Sequence, residues 1–208
     1  IIVENKYLNR KAFAFYANIN ISIPMNILFL SAHLYPSKHK AGFHHLADAA
    51  NALGHTVSFC TVPNTPFNII YELFNNPTRC WCRIKALYST LFKASQHNIQ
   101  YSTYFSLIYP MPRYHGWFQL KALGFKLGLS RLFFKQTYDA IIVESCAGLL
   151  LIPKLKKKYP HARFIYRVSD CLEMLDSDPK LMQAETNLLP QLDLISTPVP
   201  SITSRLQT

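Results

Sequence analysis

The distribution of hydrophobic residues predicts buried strands that alternate with amphipathic helices. Asn26–Ala32 (NILFLSA) is a continuous apolar run, which is typical of a strand buried on both faces. Phe43–Leu53 has its apolar residues at helical spacing, and Gly54 follows it as a glycine that ends a helix. His55–Val62 alternates as a second strand. Strand, loop, helix and strand in this order predict an α/β fold with a doubly wound, mostly parallel sheet.

The second half of the chain continues this arrangement, and two of its strands end in carboxylates. Tyr138–Ser145 (YDAIIVES) predicts a strand that ends at Glu144, and Arg163–Asp170 (RFIYRVSD) predicts one that ends at Asp170. The intervening Ala147–Tyr159 has helical spacing. A strand–helix–strand unit in a parallel sheet brings both acids to its carboxyl edge, where open α/β sheets bind ligands.

The remaining segments predict further elements of the same fold. Ile99–Tyr109 indicates a third strand, and Leu192–Thr197 indicates the last one. Gly116–Gln136 has the pattern of a basic amphipathic helix, although glycines inside it weaken that pattern. Pro179–Leu189 predicts a helix with an acidic, exposed face. Pro63–Gln96 is dense in apolar and basic residues without a regular period.

The two ends of the chain favour a native domain that spans 25–208. Residues 1–24 do not begin with Met, and they precede Met25-Asn26-Ile27-Leu28, which has the character of a native amino terminus. We interpret them as a lead segment, because they have no secretory signal pattern. Thr208 lies inside a helix that has just begun, so the sequence is expected to be a fragment.

The formal net charge is +11, and all of it lies before Thr137. Anionic lipid, nucleic acid and phosphorylated substrates are the partners that such a charge attracts. No helix-turn-helix, RRM or KH pattern is present, so nucleic acid is disfavoured. No apolar run reaches the ~18 residues that a membrane-spanning helix needs.

Two segments, Ile69–Phe92 and Trp117–Lys135, combine basic residues with aromatic ones, as helices on anionic membranes do. A core helix with a solvated basic face is an equal alternative. In the second segment the expected membrane-facing residues are Trp117, Lys121, Lys126, Arg131 and Lys135.

Five polar residues at the predicted carboxyl edge are candidates for a site. Asp170 in a cleft would accept a proton from an attacking hydroxyl, although a strand-end Asp is more often a cap or loop residue. Glu144 would position other groups or pair with Arg167 on the neighbouring strand. Ser169 lies beside Asp170. His33 would donate to a substrate oxygen, or be satisfied by loop backbone.

Other cofactor and metal patterns are not found in the sequence. The loop after the first strand has no GxGxxG, so the sequence does not support a dinucleotide site. We interpret Gly42 in this loop as an ordinary turn glycine. His44 and His45 are adjacent and face different sides of a helix, so they make a poor metal pair. Cys80-Trp-Cys82 is too tight for the usual zinc pair, and we expect no metal site.

These residues together resemble a glycosyltransferase of the GT-B type. The ILFLS strand, a loop with a glycine, an LA-rich helix and Gly-His-x-Val resemble the opening of many such enzymes. YDAIIVES, the Tyr-Arg-x-Ser-Asp at 166–170 and LDLISTPVPSI are similar to the glucuronosyltransferase family of xanthan assembly. Ser31 and His33 match that family's Ser-x-His. The resemblance covers the amino-terminal, acceptor-binding half of a GT-B enzyme, with a Rossmann-like fold.

The resemblance implies an inverting, metal-independent transferase that is peripheral to the cytoplasmic face of the bacterial inner membrane. Such an enzyme moves glucuronate from UDP-glucuronate to a lipid-diphosphate-linked oligosaccharide in exopolysaccharide synthesis. Asp170 matches the family's base. The UDP-sugar is the donor substrate, no further cofactor is implied, and the donor is bound mainly by a second domain expected beyond Thr208. The fragment alone is therefore expected to be inactive.

Two other interpretations stay open at this point. One is another GT-B transferase that uses a different nucleotide sugar. The other is a non-catalytic, flavodoxin-like binding domain. A reading frame that continues past Thr208 into a second Rossmann-like domain favours an enzyme, whereas an immediate stop codon in an intact gene favours a binding domain.

Overall fold

One β-sheet runs through the described part of the chain. The computed structural model describes residues 2–4, 23–37, 40–107, 125, 127–135, 137–170, 172 and 179–197. The strands in these residues are β1 (Ile2–Glu4), β2 (Asn26–Ser31), β3 (Thr56–Asn64), β4 (Ala94–Gln96), β5 (Ile99–Phe105), β6 (Ala140–Glu144), β7 (Arg163–Arg167) and β8 (Leu194–Thr197).

The sheet is doubly wound. Its strand order is β1-β8-β7-β6-β2-β3-β5-β4, and every neighbouring pair except β4–β5 is parallel. From β2 the chain adds β3 and β5 on one side, then crosses back to add β6, β7 and β8 on the other. The winding reverses between β2 and β6, which pair from Ile27↔Ala140 to Leu30↔Val143. The predicted Rossmann-like α/β fold is confirmed, and this reversal is its topological switch point.

Helices connect the strands and cover the sheet. Those in the described residues are α1 (Gly42–Ala52), α2 (Pro66–Asn75), α3 (Pro77–Leu91), α4 (Leu132–Lys135), α5 (Ile152–Lys158) and α6 (Pro179–Leu188). Short 3₁₀ segments at Ala147–Leu151 and Leu189–Gln191 precede α5 and follow α6. The helix predicted from Ala147 to Tyr159 is thus a 3₁₀ turn that continues as α-helix.

The core explains why β2 reads as an unbroken apolar run. Phe29 faces α1 and meets Phe43 edge to face, with ring centroids 5.3 Å apart. Leu28 and Leu30 face the opposite side and pack in one cluster with Leu149. All five side chains are fully buried. Each contributes about 1.5–3 kcal/mol through its burial, so the central strand needs apolar residues at consecutive positions.

The helix predicted over Gly116–Gln136 is wrong around Gly128–Ser130 and correct only at Leu132–Lys135 within the described residues. Leu129 forms an isolated antiparallel bridge with Phe105, in which each N–H donates to the other carbonyl at 2.9 Å. Helix α4 begins only at Leu132. Gly128 explains the break, since a Cβ there would lie 2.5 Å from the carbonyl oxygen of Phe105. The chain therefore passes against β5 as extended backbone.

The acidic, exposed face predicted for the helix after Pro179 is also wrong. Its one carboxylate, Glu185, is only 2 % exposed. The Tyr166 hydroxyl on β7 donates to Glu185 Oε1 at 2.5 Å. The carboxylate therefore attaches α6 to the sheet, where a charge buried without such a partner would be costly.

The structure places regular elements in segments for which no element bounds were predicted. Pro63–Gln96 contains the helical pair α2–α3 and the short strand β4. Residues 2–4, in the segment before Met25, form an edge strand that pairs in parallel with β8. Both additions extend the sheet or its connections without changing the position of the switch point.

We expect Gly128→Ala to lower the free energy of unfolding by about 1–3 kcal/mol, because the new methyl group must displace backbone of β5. Urea unfolding followed by circular dichroism measures the change. Leu127→Ala is the matched control, since Leu127 is 73 % exposed and its truncation should stay within about 0.5 kcal/mol. Equal stabilities of the two variants would contradict the packing of this segment against β5.

Candidate active site

The candidate site lies at the carboxyl ends of β2 and β6, on the two sides of the switch point. Ser31 is the last residue of β2, and Glu144 is the last residue of β6. The two strands are in parallel register up to Leu30↔Val143, so these two residues come next to each other. This is the place at which a doubly wound sheet opens a crevice for a ligand.

The Glu144 carboxylate is at the centre of a polar cluster. Its side chain is buried, and the Ser31 hydroxyl donates to Oε2 across the two strands. The Ser169 hydroxyl donates to Oε1 at 3.1 Å. His33 Nε2 lies 3.7 Å from the same oxygen. Because hydroxyl donors fix both carboxylate oxygens, Glu144 is suited to hold other groups in place.

Arg167 provides the positive charge of the cluster. It is the register partner of Glu144, and its Nη1 lies 3.4 Å from Ser169 Oγ, so the described contacts join the two residues through Ser169. Burial lowers the pKa of Arg167, while the charges of Glu144 and Asp170 oppose that shift. An arginine remains protonated despite such a shift, so the cluster contains a half-buried cation.

Helix α1 begins directly beside this guanidinium. A Cβ built at Gly42 would lie 3.4 Å from Arg167 Nη2, and the Arg167 Cζ lies 5.9 Å from the ring centroid of Phe43. Gly42 is thus the first residue of α1 rather than a turn glycine, and a Cβ there would make ordinary van der Waals contact with the guanidinium. The positive end of the helix dipole and the guanidinium together favour an anion at this point.

His33 is held by its backbone, and its side chain stays accessible. Its N–H donates to Ser31 Oγ at 3.0 Å, and its carbonyl accepts from the Thr61 hydroxyl at 2.9 Å. Its side chain is 46 % exposed. Loop backbone thus fixes the residue while the ring itself stays accessible next to Glu144. Thr61 is a site residue that sequence reasoning missed, although its position opposite Ser31 in the β2–β3 register marks it.

Asp170 lies beyond its strand rather than at the strand end. Strand β7 stops at Arg167, and Val168 continues towards β8 through a bond from its N–H to the carbonyl of Ser196 at 2.9 Å. Asp170 follows in an exposed bend and is close enough to act on the charge of Arg167. Of the two predicted strand-end acids, Glu144 is buried and bonded, whereas Asp170 is open to solvent.

His44 has a structural role next to the site. Its Nδ1 accepts from the N–H of Ala41, and its Nε2 meets the carbonyl of Leu34, both at 3.0 Å. Burial lowers the pKa of His44, so the neutral ring that these two bonds require is favoured. The ring connects the loop after β2 to the first turn of α1. Within the described residues, no three His, Cys, Asp or Glu side chains cluster closely enough to hold a metal ion.

Most of the residues predicted to face a membrane fall outside the described residues. This holds for Trp117, Lys121 and Lys126, and for the side chain of Lys135. Arg131 is described and half-buried, and its N–H donates to the carbonyl of Thr90 at 3.0 Å. The membrane-facing role of this segment stays a prediction.

A comparison with protein families identifies the domain. The family model described as "Glucuronosyltransferase GumK, N-terminal domain" matches residues 29–198. This chain belongs to that family. A search of curated proteins finds no match. The GumK-type match confirms the resemblance to a glucuronosyltransferase, and with the sheet it confirms the amino-terminal half of a GT-B fold. Ser31, His33, Glu144, Arg167 and Asp170 all lie within the matched residues.

Two cysteines of the core, Cys60 and Cys146, are closed to solvent. Cys146 follows Glu144 by two residues, is buried, and accepts from the N–H of Gly148 at 3.3 Å. Burial raises the pKa of Cys146 to about 12, and burial raises the pKa of Cys60 to about 12 as well. Both thiols are therefore uncharged at neutral pH and unable to act as nucleophiles.

We expect iodoacetamide to leave Cys60 and Cys146 unmodified in the folded protein, because neither the thiolate nor the access that alkylation needs is present. Cys82 is exposed and serves as the internal control that reacts. Peptide mass spectrometry after labelling in mildly alkaline buffer reads out each cysteine. Labelling of Cys146 as fast as that of Cys82 would show that Cys146 is open to solvent.

We also expect Glu144→Gln to lower the free energy of unfolding by about 1–3 kcal/mol, since an amide cannot accept two hydroxyl donors with both of its polar atoms. Guanidinium unfolding measures the loss. Asp48→Asn is the control, because Asp48 pairs with Lys40 at the surface and such pairs contribute about 0–1 kcal/mol. A Glu144→Gln protein as stable as wild type would remove the carboxylate from its central role.

Proposed function

We propose that this domain is the acceptor-binding half of an inverting glycosyltransferase that transfers glucuronate from UDP-glucuronate to a lipid-diphosphate-linked oligosaccharide. The observation that carries the proposal is the exposed Asp170 beside a fixed cluster of Glu144, Ser169 and Arg167 at the switch point. Membership of the GumK-type family supports the same reaction class.

In the proposed reaction Asp170 is the general base. Its carboxylate takes the proton of the acceptor hydroxyl while that oxygen forms a bond to the anomeric carbon of the donor sugar. The bond from this carbon to the UDP oxygen breaks in the same step, and UDP leaves with the electron pair. Attack opposite the leaving group inverts the anomeric centre. An exposed carboxylate suits this role, because the acceptor must reach it.

The other cluster residues bind and position in this proposal. Glu144 has both oxygens engaged by hydroxyls, so it holds Ser31 and Ser169 rather than a substrate proton. Arg167 and His33 face the crevice beside the first turn of α1, and we assign them to an anionic or oxygen-rich part of the substrate. No metal is assigned a role, and the donor would be bound mainly by a second domain.

The partners and the location follow from the acceptor. A lipid-diphosphate acceptor places the enzyme at the surface of a bacterial membrane, and we propose peripheral binding at the cytoplasmic face of the inner membrane. The net charge of +11 supports an anionic membrane surface. This surface would also raise the local concentration of an acceptor that itself carries phosphate.

A UDP-sugar other than UDP-glucuronate is a second candidate for the donor. The described cluster contains groups for a hydroxyl and an anion, but the wall that would contact the donor sugar lies in the other half of a GT-B enzyme. A transferase for a different UDP-sugar is therefore the alternative. Turnover of UDP-glucuronate, UDP-glucose and UDP-galactose by the intact enzyme discriminates between the two.

We expect Asp170→Asn in the intact enzyme to lower kcat by about 10²–10⁴-fold, because the amide accepts no proton from the acceptor hydroxyl. The acceptor KM should change little, since an amide keeps the size of the carboxylate. UDP release in the presence of acceptor measures turnover, and circular dichroism checks the fold. Asp48→Asn, at a carboxylate in the surface pair with Lys40, is the control and should retain activity. Near-normal turnover of Asp170→Asn would remove Asp170 from the base role.

A further inference from the structure

Helix α2 buries a charged residue and exposes its apolar side, which is the reverse of an ordinary surface helix. Its one buried residue is Glu72, which is 7 % exposed. Phe67 and Tyr71 are each 69 % exposed, and Phe74 is 80 % exposed. A helix on a soluble protein buries its apolar stripe and exposes its charges. The apolar side of α2 is therefore open to a contact with a partner.

Ion pairs to α3 hold α2 in this orientation. Arg83 Nε lies 2.7 Å from Glu72 Oε2, and Arg79 Nε lies 3.2 Å from Glu72 Oε1. One carboxylate thus engages two arginines that are one helical turn apart on the partner helix. Because the charge pairs occupy the inner side of the α2–α3 hairpin, the aromatic side chains of α2 must point outward.

Helix α3 extends the same apolar surface. Trp81, Ile84, Tyr88 and Leu91 recur at helical spacing, and their exposed fractions are between 40 % and 67 %. The opposite side of α3 packs on the sheet, where the Thr90 and Thr103 hydroxyls bond at 2.7 Å. We name the exposed apolar residues of the two packed helices the hairpin face: Phe67, Ile70, Tyr71, Leu73, Phe74, Trp81, Ile84, Tyr88, Leu91 and Phe92.

The charges around the hairpin face are positive. Glu72 is the only acid between Thr65 and Lys93, and it is already paired with arginines. Lys85 and Lys93 are exposed, and the Lys85 ammonium lies 5.6 Å from the centroid of the Trp81 ring. Exposed tryptophan, tyrosine and aliphatic side chains rimmed by lysine are the composition of helices that lie in the surface of an anionic membrane.

We propose that the α2–α3 hairpin lies flat on an anionic bilayer, with the hairpin face inserted at the level of the lipid head groups. A lipid surface fits better than a second copy of the chain, because a symmetric contact would bring the exposed lysines together without an acidic complement. No helix in the described residues is long and apolar enough to cross a bilayer. The hairpin therefore binds in the plane of the membrane.

The hairpin is directly continuous with the candidate active site. Helix α2 begins after the carboxyl end of β3, and Thr61 of that strand donates to the carbonyl of His33. Membrane contact at this place brings lipid head groups to the edge of the crevice. Only this last step rests on the proposed function, since the contact itself follows from exposure and charge.

The test uses the 208-residue chain and sedimentation with vesicles, without any sugar substrate. Phe67→Ser, Phe74→Ser and Trp81→Ser are combined in one variant, and we expect its partitioning onto phosphatidylcholine–phosphatidylglycerol vesicles to fall roughly tenfold or more. Ile23→Ser, Leu53→Ser and Leu107→Ser form the matched control, because these three residues are equally exposed but lie outside the hairpin. The control should bind as wild type does.

Two further measurements separate this proposal from its competitors. In a Trp117→Phe variant, Trp81 is the one remaining tryptophan, so its fluorescence should shift to shorter wavelength with these vesicles and not with phosphatidylcholine alone. Sedimentation velocity without lipid should show a monomer. Unchanged vesicle binding of the hairpin variant would overturn the proposal. So would a dimer that the hairpin variant dissociates, or release of the protein only when Lys121, Lys126, Arg131 and Lys135 are neutralised.

These measurements involve no transfer reaction. The vesicle-binding result therefore stands even if the proposed glycosyltransferase function is wrong. Conversely, an intact enzyme whose hairpin variant still glycosylates a short-chain, water-soluble acceptor but fails with the acceptor in vesicles would separate the membrane role from the chemistry.

Discussion

The buried carboxylate of Glu144 is the constraint on which the site depends. A carboxylate removed from water costs several kcal/mol unless hydrogen bonds and a nearby cation replace its hydration. Here Ser31 and Ser169 donate to its two oxygens, and Arg167 provides the opposite charge. Ser31 ends β2, whereas Arg167 ends β7 and Ser169 follows it two residues later. Satisfying one charge therefore fixes the ends of β2, β6 and β7 relative to one another and sets where His33 and Asp170 lie.

Two other buried carboxylates work in the same way elsewhere in the fold. Glu72 joins α2 to α3 through two arginines, and Glu185 joins α6 to β7 through the Tyr166 hydroxyl. The chain has only 11 acidic residues against 22 basic ones. With three of those acids enclosed, even less negative charge remains on the surface. The three buried acids thus join elements of the fold and, because few acids remain, leave the surface with the positive charge that the proposed anionic partners require.

The sequence predicted the sheet well because its central strands are buried on both faces. Such strands must be continuous apolar runs, and the run at Leu28–Leu30 therefore predicts a buried central strand. The position of the candidate site follows from the same pattern, since the switch point follows from strand order and the predicted strand ends carry polar residues. Periodicity failed where a single close contact decides the backbone. Gly128 lies against the Phe105 carbonyl, and no hydrophobic pattern reveals that approach.

Periodicity also does not determine which side of an amphipathic helix is buried. For this reason the orientation of α2 could not be predicted from its sequence. Apolar residues on one stripe and a lone Glu72 on the other are compatible with either side facing inward. The side is chosen by Arg79 and Arg83, which lie on the next helix and whose pairing is a tertiary event. A charge pair inside the hairpin leaves the aromatic stripe outside. The resulting surface begins where β3 ends, beside the candidate site that Glu144 organises, so the proposed substrate chemistry and the proposed surface binding share one edge of the sheet.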